Sequence, residues 1–186
     1  MQSEINAALK TLYSKGIILY PTDTVWGVGC DATSVEAVNK VYHLKKREES
    51  KALICLASSL TMLKGYIGSI PNSVHSILKN ASKPTTIIYN NPKGLAHNLV
   101  SSENTIAIRI VSKGFAFSLI EQLGKPIVST SANVSGNPTP KSFQEIEGDI
   151  LKGVDYVVNL QQEKSDATPS RIIKINSDGS LSIIRD

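Results

Sequence analysis

Residues 16–31, GIILYPTDTVWGVGCD, constrain the fold more than any other stretch of this chain. Ile17, Ile18, Leu19 and Tyr20 form an apolar run between Gly16 and Pro21. Such a run is a buried strand, stopped where proline fixes φ and removes the N–H that a ladder needs. The strand hands Thr22, Asp23 and Thr24 to its carboxyl end, the end at which open α/β sheets bind ligands. Gly27 and Gly29 then let the following backbone pass close to a neighbour. An ordinary strand-exit turn accounts for the same residues equally well.

The remaining chain alternates helical and extended patterns. Ile5, Ala8, Leu9 and Leu12 form an amphipathic stripe after Ser3, on a helix ending before Gly16. Thr33 and Glu36 resemble a capping box for a second helix carrying Val35, Val38, Val41 and Tyr42. Residues 52–57 read as a buried strand, and residues 59–65 and 71–78 as short helices. Residues 82–86 read as a loop feeding a strand at 87–89, and residues 105–111 as a β-branched strand. A helix at 115–123 is closed by Gly124. Ile127 and Val128 start a strand that gives way at once to Ser129, Thr130, Ser131, Ala132 and Asn133. Ser142 and Glu145 suggest a capping box for a helix reaching about residue 151. Strands at 155–159 and 171–175, a turn at 176–179 and a terminal hairpin strand at 180–185 complete the pattern. This predicts one α/β domain over residues 1–186, a twisted mixed sheet flanked by helices.

Composition narrows the function. With 41% hydrophobic and 19% charged residues among 186, the chain is of globular type. No apolar run approaches the roughly 20 residues of a membrane span. The start MQSEINAALK lacks the basic and apolar regions of a secretion signal, so a cytoplasmic setting without membrane contact is the expectation. Cys30 and Cys55 lack metal or redox spacing and are expected as buried free thiols. His43, His75 and His97 form no ligand cluster, and no protein-built metal site is expected. A net charge of +4 favours an anionic partner such as a nucleotide or RNA, or is simply solubilising. Aromatic residues, at 5%, are too few and too scattered for a single-strand stacking platform.

Three groups carry potential chemistry. Lys45, Arg47 and Lys51 lie within seven residues at a helix exit. Cations there offset the helix dipole, or neutralise a polyphosphate. The run from Ser129 to Asn133 places three hydroxyls and an amide after an apolar start, suited to a small polar ligand or to a plain Ser/Thr turn. Arg109 lies in a strand on the face of Ala107, opposite Ile108 and Ile110, placed to fork onto a carboxylate or to pair with a structural acid. The chain has no P-loop, no GxGxxG and no GxSxG.

Together these pieces resemble one family. YPTDTVWGVGCDA, the spacing of Lys45, Arg47 and Lys51, KPTT at Lys83, IAIRI around Arg109 and KPIVSTSANVSG from Lys125 look like the YrdC-like threonylcarbamoyl-AMP synthases. The likeness runs from about residue 5 to the last residue. It implies an α/β sheet with a concave ligand-binding face and the conversion of L-threonine, bicarbonate and ATP to L-threonylcarbamoyl-AMP, pyrophosphate and water. That product feeds threonylcarbamoyladenosine formation in tRNA. Through the resemblance, Thr24, Arg109, Ser129 and Ser170 fall at threonine contacts. Lys45, Arg47, Lys51, Thr105, Ser131, Asn133, Thr139 and Arg185 fall at the ATP pocket. Catalytic roles go to Lys45, Arg47 and Lys51, and Mg²⁺ accompanies the phosphates. tRNA or a threonylcarbamoyl transferase complex is the implied partner.

The chain departs from the family pattern at Lys83, Trp26, Leu56 and the pair Lys113 and Gly114, and it resembles the short form without an added carboxy-terminal domain. Two other readings stand beside the synthase. One is a non-catalytic relative that binds double-stranded RNA or tRNA, and the other is a carbamoyl-adenylate-forming enzyme of another pathway.

Overall fold

The computed structural model describes residues 1–48, 53–160, 170–176 and 178–186. The elements in chain order are α1 (Gln2–Tyr13), β1 (Ile18–Pro21), β2 (Trp26–Gly29), α2 (Val35–Leu44), β3 (Ile54–Ala57), α3 (Leu60–Tyr66), α4 (Asn72–Asn80) and β4 (Thr85–Asn90). Then come β5 (Thr105–Ile110), α5 (Gly114–Leu123), β6 (Ile127–Ser131), α6 (Gly148–Gly153), β7 (Tyr156–Val157), β8 (Arg171–Ile175) and β9 (Leu181–Arg185). The strands form one mixed sheet in the order β7-β1-β2-β6-β3-β5-β4-β8-β9. β1 pairs parallel with β7, β3 with β5, and β4 with β8. The remaining neighbours are antiparallel, including the β8–β9 hairpin expected from the sequence.

Two hydrophobic cores lie on opposite faces of the sheet. On one face α1 and α5 cover Ile18, Tyr20, Leu56 and Ile127 with Ile5, Leu12, Leu119 and Ile120. Burying each such side chain contributes roughly 1.5–3 kcal/mol. On the other face α2 lays Val38 and Val41 among Leu19, Val28, Cys55, Ile87 and Ile108. Period-two alternation along each strand divides these residues between the two cores.

Gly29 is fixed by packing. A Cβ there would lie 2.6 Å from the Val128 carbonyl oxygen and 2.8 Å from the Tyr20 ring, which crosses the bare backbone. Gly124 ends α5 with φ of 70°, as the C′ position demands. Cys30 and Cys55 are free and buried, and burial pushes the Cys55 thiol up to about 12.

Several boundaries differ from the sequence reading. The helix after Thr33 is capped by Ser34, whose Oγ accepts from Ala37 N at 3.3 Å. Thr33 instead donates to Asp31 at 2.7 Å, and Glu36 pairs with Lys15 at 2.8 Å. Ser142 and Glu145 do bond, at 3.3 Å, but they close only a 3₁₀ turn over Phe143–Glu145. The chain then extends to bury Ile146 before α6 starts. β6 runs on through Ser131, because Ser129 and Ser131 are laddered to Ile54 of β3 and Gly27 of β2. The segment after Val25, expected only as glycine-punctuated chain, is strand β2, and of residues 155–159 only Tyr156 and Val157 are strand. Ala52 and Ser177, placed in a strand and a turn by the sequence reading, lie outside the described residues.

Candidate active site

The face covered by α1 and α5 continues past the ends of those helices, and there it is open. Cross-strand register shows the continuity: Tyr20 opposes Gly27, Gly27 opposes Ser131, Ser129 opposes Ile54, and Leu56 opposes Arg109. These positions share one face, so apolar core passes into hydroxyl and guanidinium groups along the same strands. Over the open part lies a cavity of about 500 Å³. Its floor is Gly27, Ile54, Leu56, Ser129 and Ser131, and Arg109 stands on its β5 side. The β1–β2 turn contributes Thr22, Thr24 and Val25, while Arg47, Lys141 and Arg185 supply cations around it.

Local bonding holds these parts still. Thr22 Oγ1 donates to Val25 O at 2.6 Å and accepts from the amides of Thr24 and Val25, so the turn is closed on itself. Arg109 is 6% exposed, and its Nη1 donates to Asp23 Oδ2 at 2.8 Å. Thr86 and Ser170 share a hydrogen bond of 2.9 Å beside it, since Thr86 opposes Arg109 in the sheet. Arg185 donates through Nε and Nη2 to Ser170 O at 3.0 and 2.7 Å, which orients its guanidinium along the cavity wall.

Lys45 behaves differently from the expectation. As C-cap of α2 it is 1% exposed and does not line the cavity. Its Nζ donates to the carbonyls of Ser131 and Asn133 at 2.5 and 2.6 Å, bracing the backbone that carries the site. Burial first, and then the like charge of Arg47, press its ammonium down to about 8, against the pull of Glu147. Glu147 ties down the same loop by accepting from Val134 N at 3.1 Å and Asn137 Nδ2 at 3.0 Å.

Of the residues singled out in the sequence, Thr24, Arg47, Arg109, Ser129, Ser131, Thr139, Ser170 and Arg185 meet at this cavity. Asn133 lies in an adjoining recess that shares Thr139, and its buried Oδ1 has no hydrogen-bond partner. Thr105 shares the face of Arg109 but sits four residues back along β5, bonded to Ser101 at 2.7 Å and outside the cavity wall. Lys51 lies outside the described residues. The sequence reading placed Asp23 at the ligand end of β1 without giving it a role, and passed over Lys141 and Glu147. Asp23 was legible as the one charge inside the PTDT turn, and Lys141 as a further cation after two prolines. Nothing local marks Glu147.

Among the described residues no group of three His, Cys, Asp or Glu side chains gathers to hold a metal ion, and no carboxylate lines the cavity. No helix among the described residues is long and apolar enough to cross a membrane.

A buried guanidinium, a hydroxyl floor and a cationic rim on the open face of an α/β sheet make a cavity chemically suited to small anionic ligands. The Sua5/YciO/YrdC family model, described as telomere recombination, matches residues 10–186, and the chain belongs to that family. It is 33% identical over 171 residues to the threonylcarbamoyl-AMP synthase of Idiomarina loihiensis, covering 90% of this chain and 89% of that one. E. coli YciO matches with TM-score 0.86 and 25% identity, over 100% of this chain and 90% of that one. P. abyssi Sua5 in complex with L-threonine matches with TM-score 0.90 over the whole chain, and at 24% identity this likeness shows the fold alone. The chain spans just over half of that Sua5, at 54% of its length.

Proposed function

We propose that this chain is an L-threonylcarbamoyl-AMP synthase, joining L-threonine, bicarbonate and ATP into L-threonylcarbamoyl-AMP with release of pyrophosphate and water. One observation carries the reading: a single cavity sets buried Arg109 among hydroxyls on one side and Arg47, Lys141 and Arg185 around the rest. Arg109 suits the threonine carboxylate, which a planar guanidinium fork holds in one orientation. Thr24, Ser129 and Ser170 offer hydroxyls to the same molecule. Arg47, with Lys141 and Arg185, suits the phosphates, and Ser131, Thr139 and Asn133 suit the nucleoside side. The synthase naming of relatives about one-third identical supports the same reading.

The chemistry asks little of the protein beyond placement and charge. The threonine ammonium first gives up a proton to solvent; the free amine then attacks bicarbonate, forming the N–C bond as water leaves, and the carbamate results. A carbamate oxygen then attacks the α-phosphorus, and the bond to the pyrophosphate oxygen breaks. Charge building on the phosphates in that step is offset by Arg47 and its cationic neighbours, which are already in position. The adenylate would supply the threonylcarbamoyl group for tRNA modification through a separate transferase.

The test is pyrophosphate release from ATP and Mg²⁺, with and without bicarbonate and L-threonine, with the product identified by mass. Turnover that needs both supports the synthase. ATP binding without threonine-dependent turnover overturns it, and salt-sensitive tRNA binding in that case would favour the RNA-binding relative.

A further inference from the structure

The ion pair between Arg109 and Asp23 extends this reading, and the extension rests on it. Arg109 is buried within β5 and cannot follow a mobile partner, whereas the Asp23 side chain is 38% exposed at the apex of the β1–β2 turn. On either side of Asp23, Thr22 and Thr24 line the cavity. The turn is closed by the Thr22 hydroxyl, so the Asp23 carboxylate hangs from a fixed backbone beside the buried guanidinium.

An α-amino acid binds as a zwitterion. Its carboxylate suits Arg109, but its ammonium needs a negative partner, and the described cavity wall provides none: Arg47, Lys141 and Arg185 all repel it. Asp23 is the carboxylate already held at 2.8 Å from the group that would receive the substrate carboxylate. Carboxylate and ammonium of an amino acid are themselves only a few ångströms apart, so the two ends of the pair match the two ends of the ligand.

We propose that Asp23 seats the α-ammonium of the amino acid and thereby selects an amino acid over the hydroxy acid of the same skeleton. In the free chain Asp23 keeps the buried guanidinium neutralised. As substrate enters, its carboxylate bonds the guanidinium and Asp23 turns to the ammonium, so both charges stay paired throughout. This makes Asp23 a specificity-determining residue and no part of the phosphate chemistry.

The experiment is calorimetric titration of wild type and Asp23→Asn with L-threonine and with its analogue carrying a hydroxyl in place of the amine. ATP is titrated separately as a check on the fold. Wild type is expected to prefer threonine. Asp23→Asn is expected to cut the preference for threonine over the hydroxy acid about ten-fold or more, as loss of a charge-assisted contact does. The hydroxy acid is expected to bind more tightly, because no carboxylate then competes for Arg109, with ATP affinity unchanged. An unchanged preference for threonine in Asp23→Asn overturns the proposal. So does equal tightening of both ligands, which would leave Asp23 as a competitor for Arg109 only. Wild type that binds neither ligand overturns the synthase reading as well, so the wild-type titration tells the two failures apart.

Discussion

The ammonium of Lys45 reaches across 86 residues of sequence to donate to the carbonyl of Ser131 at 2.5 Å, and at 2.6 Å to that of Asn133. A cation that basic spacing assigns to phosphate is therefore committed to backbone. Lys45→Met keeps the length of the side chain and removes every donor. The lost bonds cost about 1–3 kcal/mol, while relief of a buried charge works the other way. Stability is expected to stay within about 2 kcal/mol of wild type. Amide hydrogen exchange at residues 131–137 is expected to speed at least about ten-fold, because that segment has lost its brace. Unchanged exchange with lost turnover would place Lys45 on the phosphates after all.

The same lysine sets a pH dependence. Its folded value of about 8 lies below the usual 10.5, so between these limits the unfolded chain binds more protons than the native one. Stability contributed by this site therefore rises with pH through that window, by at most about 1.4 kcal/mol per pH unit. Below pH 8 the penalty of the buried charge is fully present. Denaturant titrations of wild type and Lys45→Met at pH 7 to 10 are expected to show wild type gaining on the variant above pH 8. Parallel curves would contradict the depressed value.

Much of this site was legible because its residues lie in short polar runs next to apolar ones. Thr22 to Thr24 follow β1 and Ser129 to Ser131 form the end of β6, and a strand shows its face by alternation. That suffices to put Arg109 on the side of Ala107, and β5 pairing with β3 and β4 agrees. Partnership across the chain was not legible. Asp23 meets Arg109 over 86 residues of separation, and Glu147 meets Val134 through a loop that no period describes. The length of β6 was misjudged for a similar reason. The two serines have little local strand preference, and the ladders from β2 and β3 decide. Capping was mistaken by one residue at α2 because Asp31, three-dimensionally the better acceptor, captures Thr33.

Gly29 and Gly27 lie two residues apart on one face, yet substitution should affect them differently. At Gly29 a methyl group meets the Val128 carbonyl at 2.6 Å and the Tyr20 ring at 2.8 Å, both immobile in the core. Gly29→Ala is expected to cost about 1–3 kcal/mol by overpacking. At Gly27 the nearest atoms are Thr22 Cγ2 at 3.0 Å and Ser129 Oγ at 3.5 Å, on the cavity floor. Gly27→Ala should be the milder in denaturation and the more harmful to threonine binding. Equal denaturation midpoints for the two variants would contradict this division between core and site.

Arg47 follows α2 and faces the cavity, and its backbone amide bonds Tyr42 O at 3.0 Å. Arg47→Ala is expected to leave the chain folded, since that backbone bond remains. If its guanidinium offsets charge on the transferring phosphate, turnover should fall about 10²–10³-fold, the loss typical of removing one fixed electrostatic donor. Arg47→Lys keeps the charge without the fork and is expected to fall between the two. Removing Arg47 also removes the second cause holding the Lys45 ammonium down, so the pH window described for Lys45 should begin higher in this variant. Pyrophosphate release and denaturation against pH, measured on the same preparations, check both effects. A fully active Arg47→Ala chain would refute the phosphate role, and an unmoved pH window would refute the coupling to Lys45.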